Sequence, residues 1–332
     1  HEGDERIGIR VQGDPRLLDS LAAVSALPVN PSAERPVPLR SVAHIEEVQG
    51  PSEIRRIGNT RAVVVTGEST GFDLGEDGNR VMSRGGGGLV TALSGLVANR
   101  HALWIASAMT EEDIAVADEN DHQPIDVEMD GVSYRVLTVE SDPVAYDRFY
   151  NVIANPILWF IQHYLWDLSN APDIRQAELD AWDKGYQVVN RDIADAVLAQ
   201  IEGREGPVVM LHDYHLYTAP AMIRAARPDA FLYHFVHIPW PQADAWRVLP
   251  SRIRQAVFEG LLGNDIIGFH TSNYCINFLA CCERLMDLEV DYDKLTVTHD
   301  GGKTLVRPYP LPIDAERLHR AAATREVAEA EM

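Results

Sequence analysis

The chain of 332 residues is 46% hydrophobic and carries a formal net charge of −21. That apolar content suffices for one large domain or two and excludes a disordered chain. The charge disfavours non-specific binding to nucleic acid or anionic lipid, because no basic patch is concentrated anywhere and Lys184, Lys294 and Lys303 are the only lysines.

No apolar run reaches membrane-spanning length and the N-terminus lacks a signal-peptide core, so the expectation is a soluble, cytoplasmic protein with no membrane partner. Cys275, Cys281 and Cys282 lie in one stretch that reads as helical. An odd number without framework spacing argues against a disulfide scaffold, and no second Cys or His pair stands at ligand spacing, so they read as buried packing thiols.

In chain order, residues 1–60 read as an N-terminal extension of unclear structure: a short alternating segment at 6–11, a helical period at 14–27 and a proline-rich linker at 28–40. Ala62–Thr66 is an apolar strand, and the glycines and acids of 67–79 predict a loop. Gly85, Gly86, Gly87 and Gly88 lead into the helical pattern Leu89, Leu93, Leu96. Such a run can bring backbone N–H groups and a positive helix end to an anion, though it is equally a plain flexible turn.

Ala102–Ser107 predicts a buried strand, the acidic stretch 110–123 a solvated helix and turn, and Ser133–Val139 a further strand. In the aromatic segment 146–168, Pro156 is placed to start a helix. Tyr150, Asn151, Asn155, Gln162 and His163 add hydrogen-bonding groups there, and aromatic plus amide surfaces suit sugar rings. Helix-packing aromatics are the plainer explanation. Apolar positions from Trp182 to Ile201 recur at helical spacing and read as scaffold.

Val208–Pro241 is the stretch on which the rest converges. It predicts strand, polar cluster (His212, Asp213, Tyr214, His215), helix, strand, and a second cluster opening with His237. Strands of this kind release titratable side chains at their C-terminal ends, where open α/β sheets place ligands. Ser251–Leu262 predicts a helix, Asp265–Phe269 a strand, and Leu305–Val306 and Tyr309–Ile313 the last short strands. Alternating strands and helices specify an α/β, Rossmann-like fold: a mostly parallel sheet with helices on both faces.

Six segments then resemble one family. GGGGLVTAL (85–93), FYNVIANPILWFIQHYLWDL (149–168), LHDYHLYTAPAMIR (211–224), FVHIPWPQADAWRVLP (235–250), LLGNDIIGFHT (261–271) and PYPLPID (308–314) resemble the N-terminal domain of trehalose-6-phosphate synthases. These are retaining glycosyltransferases of family 20, built from two facing Rossmann-like domains in the GT-B architecture, of which 61–314 matches one half, the acceptor side. The resemblance implies transfer of glucose from a nucleotide sugar, usually UDP-glucose, to glucose 6-phosphate. It implies no metal and no cofactor beyond that substrate. Position by position, Gly87 and Gly88 match donor-binding glycines, and Tyr150 and Trp159 an aromatic pair lining the acceptor pocket. Asp213 matches an acid beside the acceptor, and His237 a histidine at the reacting sugar. No carboxylate pair for double displacement is evident, so the protein contributes orientation and charge stabilisation. His212 and His215 read as scaffold, since no third zinc ligand accompanies them.

Two departures from the family pattern bear on function. The family places a phosphate-gripping arginine after the first strand, whereas Glu68 stands near that position here. Glu68 repels a phosphate, which leaves three readings: an unphosphorylated acceptor, a substitute such as Arg84, or a domain that does not catalyse. Secondly, nothing after Asp314 supplies the family's donor-binding half, 315–332 reading only as a helical or frayed tail. The expectation is half of a synthase, inactive alone, working with a separate donor domain or as a homo-oligomer. The alternatives are a non-catalytic sugar-binding or regulatory homologue, and a related transferase with a polyol or cyclitol acceptor.

Overall fold

The computed structural model describes residues 102–129, 132–166 and 174–310 and the backbone of three strands before them; these lie within a compact unit spanning Thr60–Met332. Its centre is a ten-stranded sheet among the described residues, ordered β10-β11-β12-β9-β8-β7-β1-β4-β6-β5. The strands are β1 (Ala62–Thr66), β4 (Leu103–Ser107), β5 (Ile125–Met129), β6 (Val132–Val139), β7 (Val208–His212), β8 (Phe231–Val236), β9 (Ile266–Phe269), β10 (Glu289–Asp291), β11 (Thr296–His299) and β12 (Gly302–Pro308). From β12 across to β6 all neighbours pair in parallel. Only the edges are antiparallel, at β5–β6, β10–β11 and β11–β12. The expected sheet of mostly parallel strands flanked by helices is thus the fold.

Chain order in the sheet decides where a ligand can sit. From β1 the chain advances to β4 and β6, then returns to place β7 on the other side of β1 and continues outward to β8 and β9. Right-handed connections therefore lay the helices of the two runs on opposite faces. The strand order reverses between β1 and β7, and in open α/β sheets such a switch point is where a ligand crevice lies, at the strands' C-terminal ends. Thr66 is in register with His212 at that seam.

The burial of side chains explains why these segments hold. β4 is buried along its whole length, as a strand in a covered parallel sheet requires, whereas in β7 and β8 one face is more open, with Val208, Met210 and Tyr233 half-buried and Phe231 exposed. Helix α5 (Gln187–Gln200) places Ile193, Ala194 and Val197 against Leu103, Ile105, Val209 and Leu211 of the sheet. Helix α6 (Ala219–Ala226) adds Ile223 to the same cluster. A second, aromatic-rich cluster joins α7 (Ser251–Leu262) and α8 (Ser272–Met286), with Trp240 and Trp246 at 4.6 Å and Trp240 edge-on to Phe258 and Phe278. Full burial of such side chains contributes about 1.5–3 kcal/mol each. Cys275, Cys281 and Cys282 are buried there as free thiols, all raised in pKa by burial. Gly260 permits α7 to cross the segment after β7: a Cβ there would lie 2.1 Å from the Tyr217 carbonyl oxygen.

The sequence-based reading of elements needs four corrections. Part of the predicted 67–79 loop is strand: β2 (Gly71–Leu74) pairs antiparallel with β3 (Arg80–Ser83) in a separate ribbon. Alternation over four residues is too short to stand out among glycines and acids, and cross-strand pairing supplies the rest. Edge strand β5 and the β10–β11 pair were likewise invisible, being short and polar. Among the described residues the last strand is Gly302–Pro308, longer than the Leu305–Val306 fragment expected, while most of the expected Tyr309–Ile313 strand lies outside the described residues. Finally, Pro156 does not start a helix. Asp142 caps one, its carboxylate accepting from the Ala145 N–H at 2.9 Å, with Pro143 in the first turn. This helix, α2 (Pro143–Asp147), continues without a break into a π-wound segment, Arg148–Trp159, and a last turn, Phe160–Gln162, with Pro156 inside. The wider i→i+5 winding relaxes the clash between a proline ring and the carbonyl four residues back, which an α-helix cannot absorb.

Candidate active site at the switch point

Strand β7 ends at His212 and the chain turns sharply at Asp213, whose φ of 66° and ψ of −179° are unusual for a residue with a side chain. A backbone of this kind costs on the order of 1–3 kcal/mol and persists only where the surroundings hold it. They do so here at three atoms. The Asp213 N–H donates to the Phe235 carbonyl at 2.8 Å, its own carbonyl accepts from His234 Nε2 at 3.0 Å, and its Oδ1 accepts from the His237 N–H at 3.1 Å. The carboxylate is thereby tied to the end of the neighbouring strand, β8. Asp213 and His237, 24 residues apart, meet at adjacent strand ends beside the seam with β1.

His237 is held in turn. Its ring Nε2 lies 3.1 Å from Nδ1 of His212, and its carbonyl accepts from Nε2 of His270, which follows β9, at 3.0 Å. Burial, reinforced by the rings of His270 and His234, lowers its pKa to about 3. At neutral pH the imidazole is uncharged, so it offers a hydrogen bond rather than a positive charge. His212 and His234 are also depressed, chiefly by burial, His234 to about 4. The polar ends of β7, β8 and β9 form a neutral, donor-rich surface with one carboxylate set in it.

Tyr150 and Trp159 come from the π-wound segment. Buried positions there recur every four residues (Phe149, Ile153, Ile157, Ile161, with Ala154 and Leu158 beside them). At that repeat Tyr150 and Trp159 are about a quarter turn apart, whereas at 3.6 residues per turn nine positions place them on opposite sides. Tyr150 stacks on His215 with centroids 5.7 Å apart, and Asn155 Oδ1 accepts from the Tyr214 hydroxyl at 2.6 Å. Trp159 is half-buried and stacks on His163 at 3.9 Å. The structure thus brings Tyr150 to the segment directly after Asp213, with Trp159 two turns further along. Gly87 and Gly88, and with them Glu68 and Arg84, lie outside the described residues.

One supporting residue was not singled out from the sequence. Asn190 of α5 is fully buried; its amide donates to the Tyr186 and His215 carbonyls at 2.9 Å, and its oxygen accepts from the N–H groups of Thr218 and Ala219. It locks the Tyr214–Leu216 turn behind Asp213. Gln162, already named among the polar groups of the aromatic segment, is buried and accepts from the Tyr217 hydroxyl at 2.7 Å. The available signal was a polar residue inside an apolar helical stripe, as Asn190 is between Val189 and Ile193. His212, read as scaffold, contacts His237 directly. Among the described residues no group of three His, Cys, Asp or Glu side chains is disposed to hold a metal ion, and no helix is long and apolar enough to cross a membrane.

A doubly wound parallel sheet with polar groups at the C-terminal ends of its switch-point strands defines a Rossmann-like domain. Solved structures show the same fold in GT-B enzymes. The N-terminal domain of Candida albicans trehalose-6-phosphate phosphatase superposes with a TM-score of 0.64 and 25% identity, over 82% of this chain and 53% of that one. An E. coli structure solved with UDP-2-fluoro glucose gives a TM-score of 0.62 at 23% identity, over 82% and 54%. The sequence profile described as Glycosyltransferase family 20 matches residues 61–331, and the chain belongs to that family. Among curated relatives, a validamine 7-phosphate valienyltransferase of Streptomyces hygroscopicus subsp. jinggangensis is 35% identical over 234 residues, 69% of this chain and 46% of the relative. A trehalose-6-phosphate synthase of Mycolicibacterium gilvum is 33% identical over 256 residues, 75% of this chain and 48% of the relative. The chain spans about half the length of these relatives.

Proposed function

We propose that this domain forms the acceptor side of a retaining sugar-transfer site of the trehalose-6-phosphate synthase type, in which glucose passes from UDP-glucose to glucose 6-phosphate. The observation that carries the reading is the Asp213 carboxylate accepting from the His237 backbone at the switch-point seam. The contact sets a charged acceptor and a neutral imidazole side by side where a ligand binds in sheets of this kind. In this role Asp213 orients acceptor hydroxyls, and His237 donates to the sugar at the reacting centre. Tyr150 and Trp159 pack against the hexose, and Gly87 and Gly88 take the donor's phosphate end. The transferred sugar's leaving diphosphate removes the acceptor proton on the same face. The protein then contributes alignment and electrostatics, with the nucleotide sugar a substrate and no resident cofactor or metal. The reaction suits the cytoplasm, where nucleotide sugars are made.

A second reading, transfer to a cyclitol phosphate, is favoured by the 35% identity to the validamine 7-phosphate valienyltransferase. Calorimetry separates the two. Glucose 6-phosphate is expected to bind the chain and to lose at least tenfold in affinity with Trp159→Ala. Tighter binding of validamine 7-phosphate than of glucose 6-phosphate selects the second reading. Absence of binding by either sinks both.

A further inference from the structure

Resting on the reading of His237 as a substrate-facing donor, we propose that His212 is a positioning residue that sets the tautomer of His237, so that Nδ1 of His237 carries the proton offered to a sugar oxygen. The two rings meet through His212 Nδ1 and His237 Nε2 at 3.1 Å. With both imidazoles neutral, a single N–H lies on that line, and whichever ring supplies it decides the state of the other.

The surroundings choose between the two arrangements. In the first, His212 Nδ1–H donates, His212 Nε2 is a bare lone pair, and His237 carries its proton on Nδ1. In the second, His237 Nε2–H donates and His212 must carry its own proton on Nε2. Nε2 of His212 is buried with no hydrogen-bond partner among the described residues. A buried N–H without an acceptor is the rarer and costlier arrangement, whereas an unpaired lone pair is tolerated more often. The first arrangement wins. The neighbouring rings show the same economy: His234 Nε2 faces the Asp213 carbonyl and His270 Nε2 faces the His237 carbonyl, so both must carry their protons there. Buried Nδ1 of His234 is then likewise a bare lone pair without a partner.

The geometry also leaves His237 no other way to adjust. Its N–H is taken by Asp213 and its carbonyl by His270, which fixes the backbone on both sides of the ring. Its side chain is only half-buried, and with Nε2 engaged the ring presents Nδ1 as the remaining polar atom. An Nδ1–H donor there suits a sugar hydroxyl or a phosphate oxygen; a bare Nδ1 suits neither a phosphate nor a developing negative charge.

The test reads the ring nitrogens directly. The uniformly 15N-labelled full chain is recorded by long-range 1H–15N correlation at neutral pH, with His237→Gln used to assign the His237 signals. The expected result is a pyrrole-type Nδ1 and a pyridine-type Nε2 for His237. A pyrrole-type Nε2 in the unsubstituted chain overturns the proposal, whether or not the chain binds a sugar phosphate. Two variants test the cause. In His212→Asn the amide can still donate from near the Nδ1 position, and the His237 pattern is expected to persist. In His212→Asp the carboxylate can only accept, and the pattern is expected to reverse. A pattern unaltered in His212→Asp, in a variant whose circular dichroism matches the parent, also overturns it. Loss of sugar-phosphate affinity in the parent chain itself, with the expected ring pattern intact, refutes the sugar-site reading alone.

Discussion

Four histidines, His212, His215, His234 and His237, are held neutral by burial, His215 and His237 with pKa values pushed down to about 3 and His234 to about 4. A histidine whose folded pKa is depressed contributes nothing unfavourable above its unfolded value of about 6.5. Its cost grows as pH falls from there toward the folded value, because only the unfolded chain then takes up the proton. At pH 5, about 1.5 units below that value, His215, His234 and His237 each remove about 2 kcal/mol of stability at ~1.36 kcal/mol per unit, and His212 acts in the same direction. The three together remove about 6 kcal/mol, comparable to the whole stability of an ordinary domain at ~5–15 kcal/mol. Urea unfolding followed by far-ultraviolet circular dichroism at pH 7.5, 6 and 5 is the assay. The midpoint is expected to fall steeply below pH 6 and the fold to be largely lost near pH 5. His215→Phe sharpens the test, because neither ring nitrogen of His215 has a hydrogen-bond partner among the described residues and its ring packs against the aromatic rings of Phe149, Tyr150 and Tyr214. That variant is expected to lower the pH slope measurably. A midpoint unmoved between pH 7.5 and 5, or an unchanged slope in His215→Phe, refutes the reasoning.

Gly260→Ala forces a Cβ to 2.1 Å from the Tyr217 carbonyl oxygen and 2.7 Å from Thr218 Cα, so a loss of about 3 kcal/mol in the urea-derived stability is expected; a loss below ~1 kcal/mol contradicts the close crossing. Asn190→Ala leaves two buried N–H groups and two carbonyls without the partner they have now. At about 1–3 kcal/mol for each orphaned group, at least ~3 kcal/mol is expected to be lost, and differential scanning calorimetry should show a melting temperature lower by many degrees. Asp213→Asn keeps an oxygen to accept from the His237 N–H but removes the charge. The fold should survive while calorimetry shows glucose 6-phosphate affinity falling roughly tenfold, about 1.4 kcal/mol; unaltered affinity counts against an acceptor role for Asp213.

The sequence by itself determined the α/β class and the segments from which the site is built. Apolar runs such as Val208–His212 and Phe231–Val236 are short, continuous and followed by polar clusters, and that pattern leaves few alternatives to a parallel strand. Family membership was legible for a related reason: long motifs preserve the residues at the strand ends. The separate ribbon of β2 and β3, the antiparallel edges and the winding around Pro156 were not legible. Each depends on cross-strand pairing or on a backbone winding that local periodicity does not encode. The same holds inside the site. Asp213 and His237 could be named individually, yet their direct contact arises because β7 and β8 are neighbours in the sheet. His212 read as scaffold because a residue in a strand shows only its alternation, and nothing in sequence separates a packing histidine from one that meets His237 at 3.1 Å. Tertiary structure decided those roles, since hydrogen bonds between strand ends are set by sheet order and register, which appear only once the chain has folded.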